Sequence, residues 1–293
     1  MRIVTRGDID GVTSSILVSE MEDVKDIALI HPQDITDKRF SVTSKDILIN
    51  VPYDPACAMW FDHHAHTIMP RSDGFKGSHA LKDSTARVVY EHYDSPELNK
   101  YEHIVDETDR FDSGRLTKED VLDPKGMVML GFLMDPRTGI WSGYKDFFKD
   151  IVRRLRKRSV EELLMEADLS IRASRYKRNE KTFQDVLRSH SEVHANVVKT
   201  DFRTLVKQPV GNRFIIFTIY PDANVSVRIQ PGPANRFVAV TIGHNIFNRT
   251  CKTDVGRLCR EYGGGGLTGA GACIFDPSVA DRETDKIIRR LKE

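Results

Sequence analysis

Residues 1–21 read MRIVTRGDIDGVTSSILVSEM. The opening RIVT has the apolar, β-branched character of a short buried strand. The chain turns polar over Arg6–Gly11, then resumes as VTSSILVSEM, whose apolar spacing predicts a helix. A strand, a tight turn carrying Gly and Asp, and a helix form the first half of a βαβ unit. The alternation continues outward. Strand-like runs occur at 27–31 (IALIH), 46–51 (DILINV) and 58–62 (AMWFD). Helices are predicted over 84–93, capped by Ser84, and around 101–111. This order predicts an α/β domain built on a doubly wound parallel sheet.

Residues 145–192 contain neither Gly nor Pro and are rich in Lys and Arg. They predict one or two long amphipathic helices joining two domains. Beyond them the pattern becomes strand-like at 194–202, 212–220, 224–230 and 236–244. A helix over 253–262, a glycine-rich loop over 263–271 and a strand at ACIF (272–275) follow. The expected organisation is a domain over 1–145, a helical linker over 146–192 and a smaller mixed-sheet α/β domain over 193–293.

Length and charge narrow the function. The 293 residues suffice for two domains of ordinary size. The 44 basic and 43 acidic residues nearly cancel, which argues against a protein that coats long nucleic acid. Cys57, Cys251, Cys259 and Cys273 form no CxxC pair, so a zinc ribbon or dithiol redox centre is not expected. A reduced, cytoplasmic protein fits best. The first residues lack a signal-peptide core, and no apolar run approaches the roughly 20 residues that span a bilayer. No membrane partner is expected.

Four motifs carry chemistry. Asp8-x-Asp10-Gly11 puts two carboxylates on the turn after the first strand, where ligands of such sheets bind. Alone, the turn is most simply a helix cap; with other ligands its oxygens suit Mn²⁺ or Mg²⁺. Asp62-His63-His64 follows another predicted strand and adds imidazole beside carboxylate. Asp106, Asp109 and Asp112 share one helix face by their spacing of three, and any one of them can complete a metal shell. Residues 263–271 (GGGGLTGAG) hold six glycines, a composition that lets backbone N–H groups close around a phosphate.

In this order the motifs resemble the DHH phosphoesterase family, in the branch that carries the DHH-associated C-terminal domain (nanoRNase and exopolyphosphatase-like proteins). RGDIDG, FDHH and YGGGGLTGAGAC carry the resemblance, which spans nearly the whole chain. It implies metal ligands at Asp8, Asp10, His63 or His64, and an aspartate in the 106–112 segment. Asp112 is preferred because RFDSG resembles the nanoRNase YDTW stretch. Asp62 becomes a ligand or the residue that orients one. The implied catalytic residues are Asp10 and His63, and Arg6, beside them in the same motif, is the third catalytic candidate. Implied substrate contacts are Arg249 with Gly264, Gly265, Gly266 and Thr268. The implied cofactor is Mn²⁺, with Mg²⁺ as the alternative. The implied activity is hydrolysis of phosphodiester or phosphomonoester bonds in short single-stranded oligonucleotides or phosphorylated small molecules. A homodimer formed through the linker helix is compatible with the pattern. Three positions depart from the family: Arg6 where many members have His, Asn50 where many have Asp, and Leu267 in place of the substrate-loop His. They keep a second reading open, a non-catalytic phosphate- or nucleotide-binding member. An exopolyphosphatase-like hydrolase is the third, although the chain lacks a dense basic stripe.

Overall fold

A computed structural model describes residues 1–64, 74–135 and 143–292. The chain divides into two compact units, Met1–Arg115 with Pro124–Ser174, and Leu116–Asp123 with Arg175–Glu293.

The first unit begins β1 (Arg2–Thr5), α1 (Ile9–Met21), β2 (Asp26–Leu29), α2 (Pro32–Thr36), β3 (Asp46–Ile49), β4 (Met59–Asp62), β5 (Gly77–His79), α3 (Thr85–Tyr93) and α4 (Glu102–Asp112). After α5 (Lys118–Leu122), which clusters with the second unit, come α6 (Gly126–Met134), α7 (Tyr144–Leu155), α8 (Val160–Met165) and α9 (Ala167–Ser189), the last of which passes into the second unit at Arg175. The strands pair in parallel in the order β2-β1-β3-β4-β5. Side chains alternate across the sheet. Val4, Leu48 and Trp60 pack with Ile35 of α2 on one face. Phe61 turns to the other face and meets His92 and Tyr93 of α3. Helices therefore cover both faces, as the expected doubly wound sheet requires. In this strand order the direction of winding reverses between β1 and β3, which opens a crevice at their carboxyl ends.

The linker region holds three helices, α7 to α9, where the sequence predicts one or two. The first break is chemical: Ser159 accepts from the Glu162 amide at 3.2 Å and starts α8 with a capping box. Several of the basic residues here are neutralised locally. Arg154 meets Asp150, Glu166 and Asp168, Arg156 meets Glu20, and Arg158 meets Glu166.

The second unit adds β6 (Ser191–His194), β7 (Val197–Asp201), α10 (Ile215–Ile219), β8 (Val225–Pro231), β9 (Val238–His244), α11 (Val255–Glu261), β10 (Gly265–Leu267), β11 (Ala270–Phe275) and α12 (Ala280–Leu291). Its sheet runs β10-β11-β9-β8-β7-β6, with only β7 and β8 parallel. Val227, Ile229, Val240 and Ile242 form a core with Leu258, Ile287 and Leu291 of the two covering helices.

Two sequence expectations are corrected here. The run over 212–220 is not a strand; its centre is the helix α10. An unbroken apolar run has no period to separate helix from strand. Buried Asn212 decides the outcome: its side-chain Oδ1 accepts from the Phe214 amide at 2.9 Å, and its backbone N–H donates to Glu180 at 2.7 Å. The glycine-rich stretch is not an open loop either. Its centre is a hairpin, with Leu267 paired to Ala270 and Thr268-Gly269 at the turn. The glycines permit close packing: a Cβ on Gly264 would lie 2.1 Å from the Ala272 carbonyl oxygen.

Candidate metal centre

Asp10 sits in the first turn of α1 and is fully buried. Its Oδ1 accepts from the Ala86 amide at 2.8 Å and from Ser14 Oγ at 3.3 Å, and its Oδ2 from the Thr85 amide at 3.0 Å. The carboxylate therefore lies on the amino end of α3, where unpaired N–H groups and the helix dipole favour negative charge. Burial still raises its pKa, with Asp8 adding to the rise and His63 opposing it. Gly11 is required beside it, since a Cβ there would lie 2.3 Å from the Arg6 carbonyl oxygen.

His63, just past β4, faces this carboxylate. Its Nδ1 lies 3.0 Å from the Lys82 carbonyl oxygen, which can only accept, so Nδ1 carries the proton. Nε2 is then aimed at Asp10 Oδ2, 3.9 Å away, and at Asp112 Oδ2, 3.4 Å away. That nitrogen is buried and has no hydrogen-bond partner. Ligand atoms of Asp10, His63 and Asp112 all lie within 4.8 Å of one another. Asp112, at the end of α4, has its pKa raised well above the ordinary carboxylate value by burial and then by Asp10 and Asp8, against Arg6 and His64. A buried imidazole lone pair beside two crowded carboxylates calls for a cation, and this donor set fits a divalent metal such as Mn²⁺.

Asp8 belongs to the same turn but outside that trio. Its Oδ1 accepts from the Gly11 amide at 2.9 Å, capping α1, and from Asn50 Nδ2 at 3.2 Å. Its Oδ2 lies 3.2 Å from Arg6 Nε. Asn50 follows β3 in a left-handed conformation, φ 56°, so the second departure from the family pattern reaches Asp8 as directly as the first. Asp62 is buried and holds His64, with Nδ1 2.8 Å from its Oδ1. The His64 carbonyl oxygen accepts from His79, whose ring stacks on Trp60 at 5.3 Å. Asp62 thus orients its neighbour, in the manner that fixes metal-facing imidazoles.

Asp106 and Asp109 are engaged elsewhere. Both pair with Arg87, and Asp109 also accepts from Ser84 Oγ at 2.5 Å. On this side of His63 lies a cavity of about 570 Å³ lined by Leu81, Lys82, Asp83, Arg87, Glu91 and Asp109.

The remaining candidates lie in the second unit. Arg249 is exposed on the turn after β9, with Nε 3.2 Å from the Ile246 carbonyl oxygen. Gly264 precedes β10, the edge strand of its sheet, and Gly265 and Gly266 lie in it. Gly265 has open space where a Cβ would be, and Thr268 is exposed at the hairpin turn. The Thr268 carbonyl oxygen accepts from the Val255 amide at 2.9 Å, tying the hairpin to the start of α11. Leu267 is also exposed.

No protein-family model matches the chain, and no curated protein matches it. Solved structures do. A pGpG-specific phosphodiesterase, PggH from Vibrio cholerae, is 31% identical and superposes with a TM-score of 0.85, covering 99% of this chain and 98% of its own. This chain belongs to the DHH phosphoesterase family. More distant DHH structures share the fold. RecJ from Thermus thermophilus in complex with Mn²⁺ is 14% identical, with a TM-score of 0.57 over 98% of this chain and 51% of that one. An exonuclease RecJ bound to manganese is 12% identical, with a TM-score of 0.51 over 98% and 89%.

Several residues that shape this DHH site carry no signal in the sequence. Thr85 and Ala86 act through backbone amides and Lys82 through its carbonyl oxygen, roles open to any residue type. Tyr144, at the start of α7, packs on Gly7 in the Asp8 turn and places its hydroxyl on the Gly7 carbonyl. Nothing in the spacing of 137 residues announces that contact. Among the described residues, no helix is long and apolar enough to cross a membrane.

Proposed function

We propose that this DHH phosphoesterase is a Mn²⁺-dependent phosphodiesterase that hydrolyses very short, 5′-phosphorylated oligoribonucleotides. The observation that carries the reading is the buried, unpartnered Nε2 of His63, set between the carboxylates of Asp10 and Asp112. The substrate class is supported by the likeness to a protein whose substrate is pGpG. Asp10, His63 and Asp112 would hold the metal, and Asp62 and His64 would support them. Bound there, a divalent cation supplies an activated water at neutral pH and polarises the phosphoryl oxygen. The chain's own groups do the rest. The α3 amides fix the Asp10 carboxylate in place, and the Lys82 carbonyl keeps the proton of His63 on Nδ1. Arg249, with Gly264, Gly265, Gly266 and Thr268, would grip the terminal phosphate, for which a planar guanidinium fork is suited. Four free cysteines fit a reducing, cytoplasmic setting.

The test is hydrolysis with and without Mn²⁺, on pGpG, a longer oligoribonucleotide and polyphosphate. The expected result is Mn²⁺-dependent release of GMP, with pGpG preferred. Cleavage of polyphosphate in preference to pGpG, or release that survives complete removal of metal, would contradict the proposal.

A further inference from the structure

Asp8 has hydrogen-bond or ion-pair donors on both of its oxygens. Oδ1 receives the Gly11 and Asn50 N–H groups, and Oδ2 receives Arg6 Nε. Asn50 is 1% exposed, and its amide nitrogen is the atom that belongs against a carboxylate; the reversed amide would set oxygen against oxygen. An aspartate in its place would bring two carboxylates together, an arrangement that needs a cation between them or a shared proton. With Asn50 and Arg6 present, Asp8 needs neither. The trio of Asp10, His63 and Asp112 is the reverse case: it presents two carboxylates and an unpartnered imidazole nitrogen to one point.

Arg6 meets Asp8 through Nε at 3.2 Å, and its side chain remains 41% exposed. Its charge is held by four carboxylates, Asp8 first and then Asp112, Asp10 and Asp62, and it does not deprotonate in the working range. Its exposure leaves the guanidinium open to a ligand. A planar fork of N–H groups matches two oxygens of one phosphate.

We propose that the centre takes a single divalent cation, at Asp10, His63 and Asp112, and that the Arg6 guanidinium, braced through Asp8 and Asn50, is the site's second positive charge and a catalytic residue that binds the non-bridging oxygens of the scissile phosphate. This rests on the phosphoesterase reading above. In the reaction the oxygen of water bonds to phosphorus, the bond from phosphorus to the ester oxygen breaks, and the proton of water ends on the leaving oxygen. Arg6 stays protonated and transfers nothing; it stabilises charge that builds on the phosphoryl oxygens.

Mn²⁺ binding to the full chain by calorimetry and electron paramagnetic resonance, alongside pGpG hydrolysis, tests this. Wild type is expected to bind one Mn²⁺ per chain. Arg6→Ala should still bind one, about tenfold more tightly because a nearby positive charge is gone, yet hydrolyse on the order of 10²–10³-fold more slowly, in kcat. Arg6→Lys keeps the charge without the fork, so it should bind Mn²⁺ as wild type does and lose part of kcat. Arg6→His with Asn50→Asp should bind a second Mn²⁺ and show the broadened signal of a coupled pair. Two Mn²⁺ per wild-type chain, a double variant that still binds one, or Arg6→Ala with wild-type kcat would each overturn the proposal. The parent reading fails differently: wild type would then hydrolyse nothing, or His63→Ala would keep its Mn²⁺.

Discussion

Asp8 and Asp10 stand one residue apart on the same turn, and their surroundings differ in kind. Asp8 is a quarter exposed and receives two N–H groups and a guanidinium, all supplied by the chain. Asp10 is fully buried; its donors are amides and a hydroxyl, and it faces the Nε2 of His63, which has no hydrogen-bond partner. The Asp8 carboxylate meets donors from the chain itself on both oxygens, while the Asp10 half presents its ligands to a cation from outside. The i, i+2 spacing sends the two carboxylates to different neighbours, Asp8 toward β1 and β3 and Asp10 toward α3. A motif that reads as two equivalent ligands is therefore divided between a brace and a ligand.

Substitutions can break or sharpen this division. The largest effect is expected at Asp10. Asp10→Asn should weaken Mn²⁺ binding by more than the roughly 10–100-fold that outer positions cost, and it should also lower the melting temperature by disturbing the start of α3. Calorimetric titration and a melting curve measure both. Asp62→Asn comes next, at about 10–100-fold in metal affinity or kcat, because His64 loses the acceptor that fixes its ring. Asp8→Asn should cost less, under about tenfold in Mn²⁺ affinity, since its oxygens already have donors. A loss as large as that of Asp10→Asn would erase the distinction between the two.

The smallest expected effect concerns pH and stability. The folded pKa of Asp112 is raised, so in the metal-free protein its stabilising contribution is present below the ordinary carboxylate range. That contribution is lost as pH rises through the raised value. At neutral pH, metal-free Asp112→Asn should melt higher than wild type, at about 2–4 °C for each kcal/mol relieved. The gap should close in acid. Saturating Mn²⁺ should stabilise wild type but not the variant. For the same reason Mn²⁺ affinity should rise with pH through that range, and a flat profile would count against the raised pKa values of Asp10 and Asp112.

Four strands of the parallel sheet were legible in the sequence because each is short, apolar and followed by polar turn residues; β5, Gly-Ser-His, was not. Asp8, Asp10 and the Asp62–His64 triplet stood at strand ends, where the site lies. Three further features were not legible. The helix α10 hides in a uniformly apolar run, and its direction depends on buried Asn212 meeting Glu180 from far along the chain. The glycine-rich hairpin resembles a loop because its pairing, Gly266 with Gly271, leaves no side-chain alternation to read. The division between Asp8 and Asp10 depends on Asn50 and on backbone groups of residues 82, 85 and 86, which no local pattern connects to residues 8 and 10.

The most direct test of the metal centre is a crystal grown with Mn²⁺ and measured for anomalous scattering at the manganese edge. One peak per chain bounded by Asp10, His63 and Asp112, with Arg6 still on Asp8, is the predicted result. A peak on Asp8 with Arg6 displaced, or none at the trio, would contradict the account.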